Sequence, residues 1–294
     1  MDILLPLKKA VATLPPSVPV KVYNFSRRVP GVRQLTTAVI RRAIPDTYQL
    51  PEGTLVLNKK DVGVCGTIVW GNFEEFETDT FRSILRPGMN VVDIGANIGY
   101  YTVVAASRVG PTGNVFSYEP DTDNAAFLNE SIKRNSFMNV SVFKTALSNE
   151  KGTRQLFSGG DNKGLFSFAD NRGTSKSVSI ITDTLDNSLA ALGWPRIDVI
   201  KMDIEGAEPL ALQGMKETLK RNPHMSIFCE CYPRAIARIG SSAVEYLHTL
   251  SAAGFELLWM DDVRKQLVPI ANVDSFLAEI PDNMEAYRNI LARR

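Results

Sequence analysis

The sequence predicts an α/β fold: a mostly parallel sheet with helices on both faces. Two observations carry this. Short apolar runs alternate with helix-patterned stretches at the spacing of βαβ units from residue 90 onward. The first of these runs, VVDIGANIGYYT (91–102), passes straight into a carboxylate and a glycine turn. In open sheets of this kind, ligands bind beyond the carboxyl ends of the strands.

The elements follow in order. Residues 1 to about 50 carry Pro15, Pro16, Pro19, Pro30 and Pro45, so short helices broken by prolines are expected there. GTLVLNKKDVGVCGTIVWG (53–71) reads as short strands separated by turns, and EEFETDTFRSIL (74–85) as a helix stopped before Pro87. NVVDIG is a strand, and IGYYTVVAASRV is a helix with so few polar residues that it must be buried on most sides. NVFSYEP is the next strand. DTDNAAFLNESIKRN is a helix, with Ala125, Leu128 and Ile132 at helical spacing, and NVSVFKTALS is a third strand. Residues 149 to about 180 are rich in Gly, Ser, Asn and Lys and predict an exposed hairpin or loop. Its aromatics Phe157, Phe166 and Phe168 suit either a lid over an acceptor or side chains filling a sheet face. DVIKMDIEG is a fourth strand, AEPLALQGMKETLKRN a helix with Pro209 in its first turn, and MSIFCECY a fifth strand. A helix near 241–253 and strands at FELLWM and QLVPIA complete the sheet. Residues 1–72 form an N-terminal extension that could cap the substrate, and 73–294 the main domain.

Composition narrows the function. The 294 residues are 44% hydrophobic and 22% charged with a formal net charge of +1, which shows no electrostatic commitment to nucleic acid. The first fifty residues are basic: Lys8, Lys9, Lys21, Arg27, Arg28, Arg33, Arg41 and Arg42 face only Asp2 and Asp46. That suits a solvated helical face, or weak peripheral contact with anionic lipid. No apolar run approaches the ~20 residues of a membrane span, and the N-terminus lacks the pattern of a signal peptide, so a cytoplasmic protein is expected. Three cysteines, Cys65, Cys229 and Cys231, fit buried thiols in a reducing compartment rather than a disulfide framework.

The glycine turn discriminates between cofactors. A nicotinamide fingerprint needs G-x-G-x-x-G, whereas Asn97 holds the middle place between Gly95 and Gly99. Asp93 would also repel a pyrophosphate lying against this turn. S-Adenosylmethionine, with a sulfonium, an ammonium and no phosphate, suits carboxylates at strand ends. Glu119, ending the second strand, can accept hydrogen bonds from both ribose hydroxyls.

NVVDIGANIGYYT, VFSYEP, ALSNEKG, TDTLD and IKMDIEGAE followed by FCE resemble the FkbM family of S-adenosylmethionine-dependent methyltransferases, from about Phe73 to Glu230 and more weakly beyond. The resemblance implies the class I methyltransferase (Rossmann-like) fold, a three-layer αβα sandwich with a seven-stranded, mostly parallel sheet. It implies O-methylation, often of sugar or polyketide hydroxyls. By motif, Asp93, Gly95, Ala96, Asn97 and Gly99 line the methionine part, Glu119 and the following Pro120 hold the ribose, and Ala146 and Leu147 lie by the adenine. Glu74, before the core, could reach over the amino end of the cofactor. Cys-Glu-Cys departs from the aliphatic residues more usual around Glu230.

A hydroxyl acceptor needs a general base or a metal to become a nucleophile. On an extended segment Lys201, Asp203 and Glu205 share one side. Asp203 is the expected base, Glu205 the residue that binds the acceptor, and Lys201 a tuner of their charge or a donor to an acceptor oxygen; Glu208 and Glu230 are secondary. A divalent metal on Asp203 and Glu205 would find suitable oxygen ligands but is not the expectation. His224 and His248 form no metal pair, and no G-x-S-x-G is present. A nicotinamide-dependent oxidoreductase and a non-catalytic scaffold of the same fold stay open as alternatives, as do the acceptor and the oligomeric state.

Overall fold

The computed structural model describes residues 32–71, 73–159, 162–168, 177–283 and 286–294. The expected proline-broken helices of residues 1–31 and residues 169–176 of the expected loop lie outside them. Helix α1 (Val32–Ala43) fits between Pro30 and Pro45, and a small hairpin follows, β1 (Thr47–Leu50) and β2 (Gly53–Val56). Residues 57–71 then depart from the expected strands: they hold helix α2 (Val62–Val69). Asp61 caps it by accepting from Val64 N at 3.1 Å, and Val62, Cys65 and Ile68 are buried, so burial outweighs the β-propensity of the sequence. Helix α3 (Glu75–Ile84) leads into the main sheet.

The main sheet is assembled from β3 (Asn90–Ile94), β4 (Asn114–Tyr118), β5 (Val140–Phe143), β10 (Val199–Met202), β11 (Ser226–Cys231), β12 (Glu256–Asp261), β13 (Gln266–Pro269) and β14 (Arg288–Arg293). In space the order is β13-β12-β14-β11-β10-β3-β4-β5. Strands β5, β4, β3, β10 and β11 run parallel, and β14 is antiparallel between β11 and β12. The reversal point between β3 and β10 is where a ligand crevice opens in such sheets. The sheet has eight strands rather than seven, because β13 adds an antiparallel edge to β12. Strand β14 carries an arginine at each end, Arg288 and Arg293, and only a short apolar run between them, so the sequence pattern does not predict it.

The connecting helices are α4 (Tyr100–Val109), α5 (Thr122–Arg134), α6 (Leu185–Ala191), α7 (Glu208–Gln213), α8 (Lys216–Arg221), α9 (Pro233–Arg238), α10 (Ala243–Ala252) and α11 (Val273–Ala278). Strand alternation divides the core. Val92, Ile94, Ile200, Met202, Ile227 and Cys229 pack with α6, α7, α8, α10 and α11. Val91, Val199 and Phe228 point the other way and pack with α1, α2, α3, α4 and the β1–β2 hairpin. The three thiols are buried, as expected.

Two further departures have local causes. The single helix expected over 207–222 is broken into α7 and α8 at Gly214, where a Cβ would stand 2.0 Å from the Ser148 carbonyl oxygen. The break lets the chain at Ser148 approach, and Asp186 caps the new start by accepting from Glu217 N at 2.9 Å and Thr218 N at 2.8 Å. The expected third strand also divides: β6 (Ala146–Leu147) leaves the main sheet and joins β7 (Gly152–Gly159), β8 (Asn162–Ser167) and β9 (Ser177–Asp183) in a second sheet of order β6-β9-β7-β8. The Gly-rich stretch is therefore a paired hairpin, and β8 lies against α2. The guanidinium of Arg154 sits over the Phe168 ring at 5.5 Å.

Candidate active site

Pleating places one polar row on the α3–α4 face of the sheet. Ser117, Asp93, Lys201 and Phe228 are register partners across β4, β3, β10 and β11. Asp93 is buried and accepts from Thr102 Oγ1 at 2.6 Å, and Thr102 shares a hydrogen bond with Ser117 at 2.8 Å. Burial pushes the Asp93 carboxyl up to about 6, against the pull of Thr102.

The glycine turn is needed for backbone reasons. Gly95 has φ +82°, and a Cβ there would stand 2.0 Å from the Asp203 carbonyl oxygen, so only glycine lets the ends of β3 and β10 meet. Gly99 (φ +96°) starts α4 against Leu128, which a Cβ would meet at 2.5 Å. Gly95 N and Ala96 N both donate to the Tyr118 carbonyl, at 2.9 and 3.1 Å. Asn97 adopts φ +50° and turns its own N–H toward the Glu119 carboxylate, at 2.8 Å from Oε2; Glu119 Oε1 accepts from Asp121 N at 2.8 Å, beyond Pro120. Glu119 is buried, which pushes it up to about 8. Each of its oxygens holds one backbone N–H and keeps a second lone pair. Ala146 and Leu147 are buried in β6, where each packs in an apolar cluster, Ala146 with Leu156 and Ile180.

Acids gather around one buried lysine at the end of β10. Lys201 Nζ lies 3.2 Å from Glu77 Oε1, 3.7 Å from Asp203 Oδ2, and 4.7 Å from the centre of the Tyr101 ring. Burial opposes its charge, but Glu77, Asp203, Glu74 and Glu230 outweigh that and hold the ammonium well above the ordinary lysine range. Glu74 is brought in by a left-handed turn (φ 39°) before α3 and accepts from Tyr101 Oη at 2.7 Å. Burial also raises the Glu74 carboxyl.

The extended run of β10 ends at Met202, so Glu205 does not share a strand face with Lys201 and Asp203. Instead a left-handed turn at Glu205 (φ +54°) and Gly206 (φ +97°) carries it into the same cluster. Burial, then Asp203 and Glu208, raise the Glu205 carboxyl well above its ordinary value, which favours its protonated form. Glu208 caps its own approach by accepting from Ile204 N at 3.0 Å; burial raises it to about 7. Burial, then Asp203, raise Glu230 well above the usual range, and its Oε2 is buried without a hydrogen-bond partner.

The arrangement thus joins two halves: Asp93, Asn97 and Glu119 around the glycine turn, and Lys201, Asp203, Glu205 and Glu74 at the neighbouring strand end. Glu77, Tyr101 and Thr102 were not among the candidates. Glu77 leaves one trace in the sequence, a carboxylate four residues before Phe81 on the apolar stripe of α3. Among the described residues no three His, Cys, Asp or Glu side chains stand as a metal site. His224 and His248 are both exposed.

The strand order, with its antiparallel strand next to the last parallel one, and the glycine turn flanked by acids define a class I methyltransferase fold. Residues 93–257 match the model of the methyltransferase FkbM domain, more than half of the chain. The chain belongs to the FkbM methyltransferase domain family. Among curated proteins it is similar to protein-L-isoaspartate O-methyltransferase of Methanothrix thermoacetophila, 36% identical over 58 residues that cover 20% of this chain and 28% of that protein. It is also similar to ribosomal RNA large subunit methyltransferase E of Nitratidesulfovibrio vulgaris, 40% identical over 62 residues, 19% of this chain and 30% of that one. The chain thus spans under a third of the length of these relatives. A solved FkbM methyltransferase from Methylobacillus flagellatus is 14% identical, with 90% of this chain and 59% of that one covered and a TM-score of 0.43. The family match lends nothing to the nicotinamide alternative.

Proposed function

We propose that the protein transfers a methyl group from S-adenosylmethionine to a hydroxyl of a sugar, glycan or secondary metabolite. The observation that carries this is the crevice of carboxylates at the ends of β3, β4 and β10, closed by a turn that only glycine can make at Gly95. These residues suit a cation that brings no phosphate. Asp93 and the backbone around Asn97 hold the methionine end, Glu119 accepts from the ribose hydroxyls, Ala146 and Leu147 border the adenine, and Glu74 faces the amino group. When bound, the cofactor supplies a methyl on a sulfonium sulfur, whose C–S bond breaks with the electron pair returning to sulfur.

Asp203 takes the proton of the acceptor hydroxyl as its oxygen attacks. Its side chain is 35% exposed against 3% for Lys201, so it is the member of this ion pair that an incoming acceptor can touch. Glu205 donates to a neighbouring acceptor oxygen, and Lys201 fixes the position of Asp203. Alignment of acceptor and methyl group can supply about 7–11 kcal/mol of the barrier. The excess of acids over Lys201 disfavours phosphorylated acceptors, including a nucleic-acid backbone, at this crevice.

The test is transfer of labelled methyl from S-adenosylmethionine to a panel of methyl glycosides and phenols, with RNA and peptide alongside. Label enters a glycoside or phenol hydroxyl, and Asp203→Asn lowers kcat by about 100-fold or more while cofactor affinity is unchanged. Label in RNA or peptide alone, or full turnover by Asp203→Asn, would contradict the reading.

A further inference from the structure

Glu77 lies before the residues matched by the family model and in no motif, yet it is among the most buried carboxylates of the described chain. It sits on the core-facing stripe of α3 one turn before Phe81, whose ring packs edge-on against Tyr101 and Phe228, each at 5.2 Å. An apolar side chain would serve packing better there, since a buried carboxylate loses its hydration. What it meets instead is Lys201 Nζ at 3.2 Å, under the Tyr101 ring, with Asp203 Oδ2 at 3.7 Å from the same nitrogen. One ammonium therefore bridges a carboxylate sealed in the core and a carboxylate at the mouth of the crevice.

We propose that Glu77 is a positioning residue for methyl transfer: it anchors the Lys201 ammonium, and through it sets the place of the Asp203 carboxylate. This rests on the reading of Asp203 as the base. The anchor is one-sided by design of the packing. Glu77 is buried on α3, at 1% exposure, whereas the Asp203 side chain is 35% exposed, so Lys201 cannot follow Asp203 outward without leaving Glu77 behind. The groups that face Lys201 are Glu74 and Glu77 beside α3, Asp93 on β3, Asp203 and Glu205 after β10, Glu230 on β11, and the Tyr101 ring on α4. Glu77 is the nearest carboxylate to it and the strongest of those that keep it charged.

Two readouts on the full chain test this. The first needs no acceptor: the Lys201 side chain is titrated by NMR with ε-13C-lysine, the signal assigned by its loss in Lys201→Arg. In Glu77→Gln the Lys201 midpoint falls by one pH unit or more. The second is turnover of whichever glycoside accepts label. Glu77→Gln lowers kcat by about 10- to 100-fold, with its alkaline limb moved to lower pH, while KM for S-adenosylmethionine stays within about threefold and Glu77→Asp recovers part of kcat. An unmoved Lys201 titration, or a rate loss equal at every pH, overturns the proposal. If Glu77→Gln does not fold, the charge-free pair Glu77→Leu/Lys201→Met is measured: cofactor binding with kcat lost supports it, and full turnover overturns it. Full turnover by Asp203→Asn would remove the base assignment itself. Loss of turnover there beside wild-type behaviour of Glu77→Gln would remove only this inference.

Discussion

At the scale of residues, the site is a set of carboxylates that the fold keeps dry. Burial pushes Glu119 up to about 8, Glu208 to about 7 and Asp93 to about 6, each above the ordinary value of its type. A carboxyl whose folded-state pKa is raised binds its proton more tightly in the native state than in the unfolded chain. Its contribution to stability is full below the unfolded value and is lost as pH rises through the folded one. The ligand-free protein should therefore lose stability between about pH 5.5 and 8.5, read as a falling urea midpoint. A midpoint that rises across this window would mean that these acids are solvated or better paired. The same residues show how far reading by type can go. Asp93, Glu119, Lys201 and Asp203 are conspicuous because each ends a strand whose apolar run names it. Glu77 is not, because a helix that is polar on its outer face hides one more carboxylate, and only the fold brings Lys201 to it.

Elements explain where that reading went astray. Spacing found α3, α4, α5 and the strands β3, β4, β10 and β11, whose patterns are set by burial on one or both faces. It missed α2, an apolar helix too short to show a period, and the break between α7 and α8, which is imposed by contact with Ser148 rather than by local preference. It also placed Glu205 on an extended run that ends three residues earlier. The β1–β2 hairpin depends on a tie that no pattern encodes. Asn135, at the end of α5, accepts from Thr54 N and donates to Thr54 O, both at 2.7 Å, and Ser131 Oγ accepts from Val56 N at 2.9 Å. Replacing Asn135 with Ala leaves those backbone groups unpaired and should cost about 1–3 kcal/mol in a urea titration, with cofactor affinity unchanged. A loss below about half a kcal/mol would show the hairpin to be held by its apolar face alone.

Over the whole molecule, the sheet order and the crevice belong to one design. The strands reverse direction of progression between β3 and β10, and the acids collect on either side of that point. The N-terminal segment shares its core with the sheet: Ile40, Leu50, Leu55 and Trp70 pack in one cluster with Val91, Val103 and Phe228. No helix of the described residues is long and apolar enough to cross a membrane. The account stands on the preference of this crevice for a cationic methyl donor over a phosphorylated coenzyme. Titration calorimetry of the full chain with S-adenosylmethionine and, separately, with NADPH measures that preference directly. Saturable one-to-one binding of S-adenosylmethionine, with no heat from NADPH, is the predicted result; saturable binding of NADPH with none of S-adenosylmethionine would contradict it.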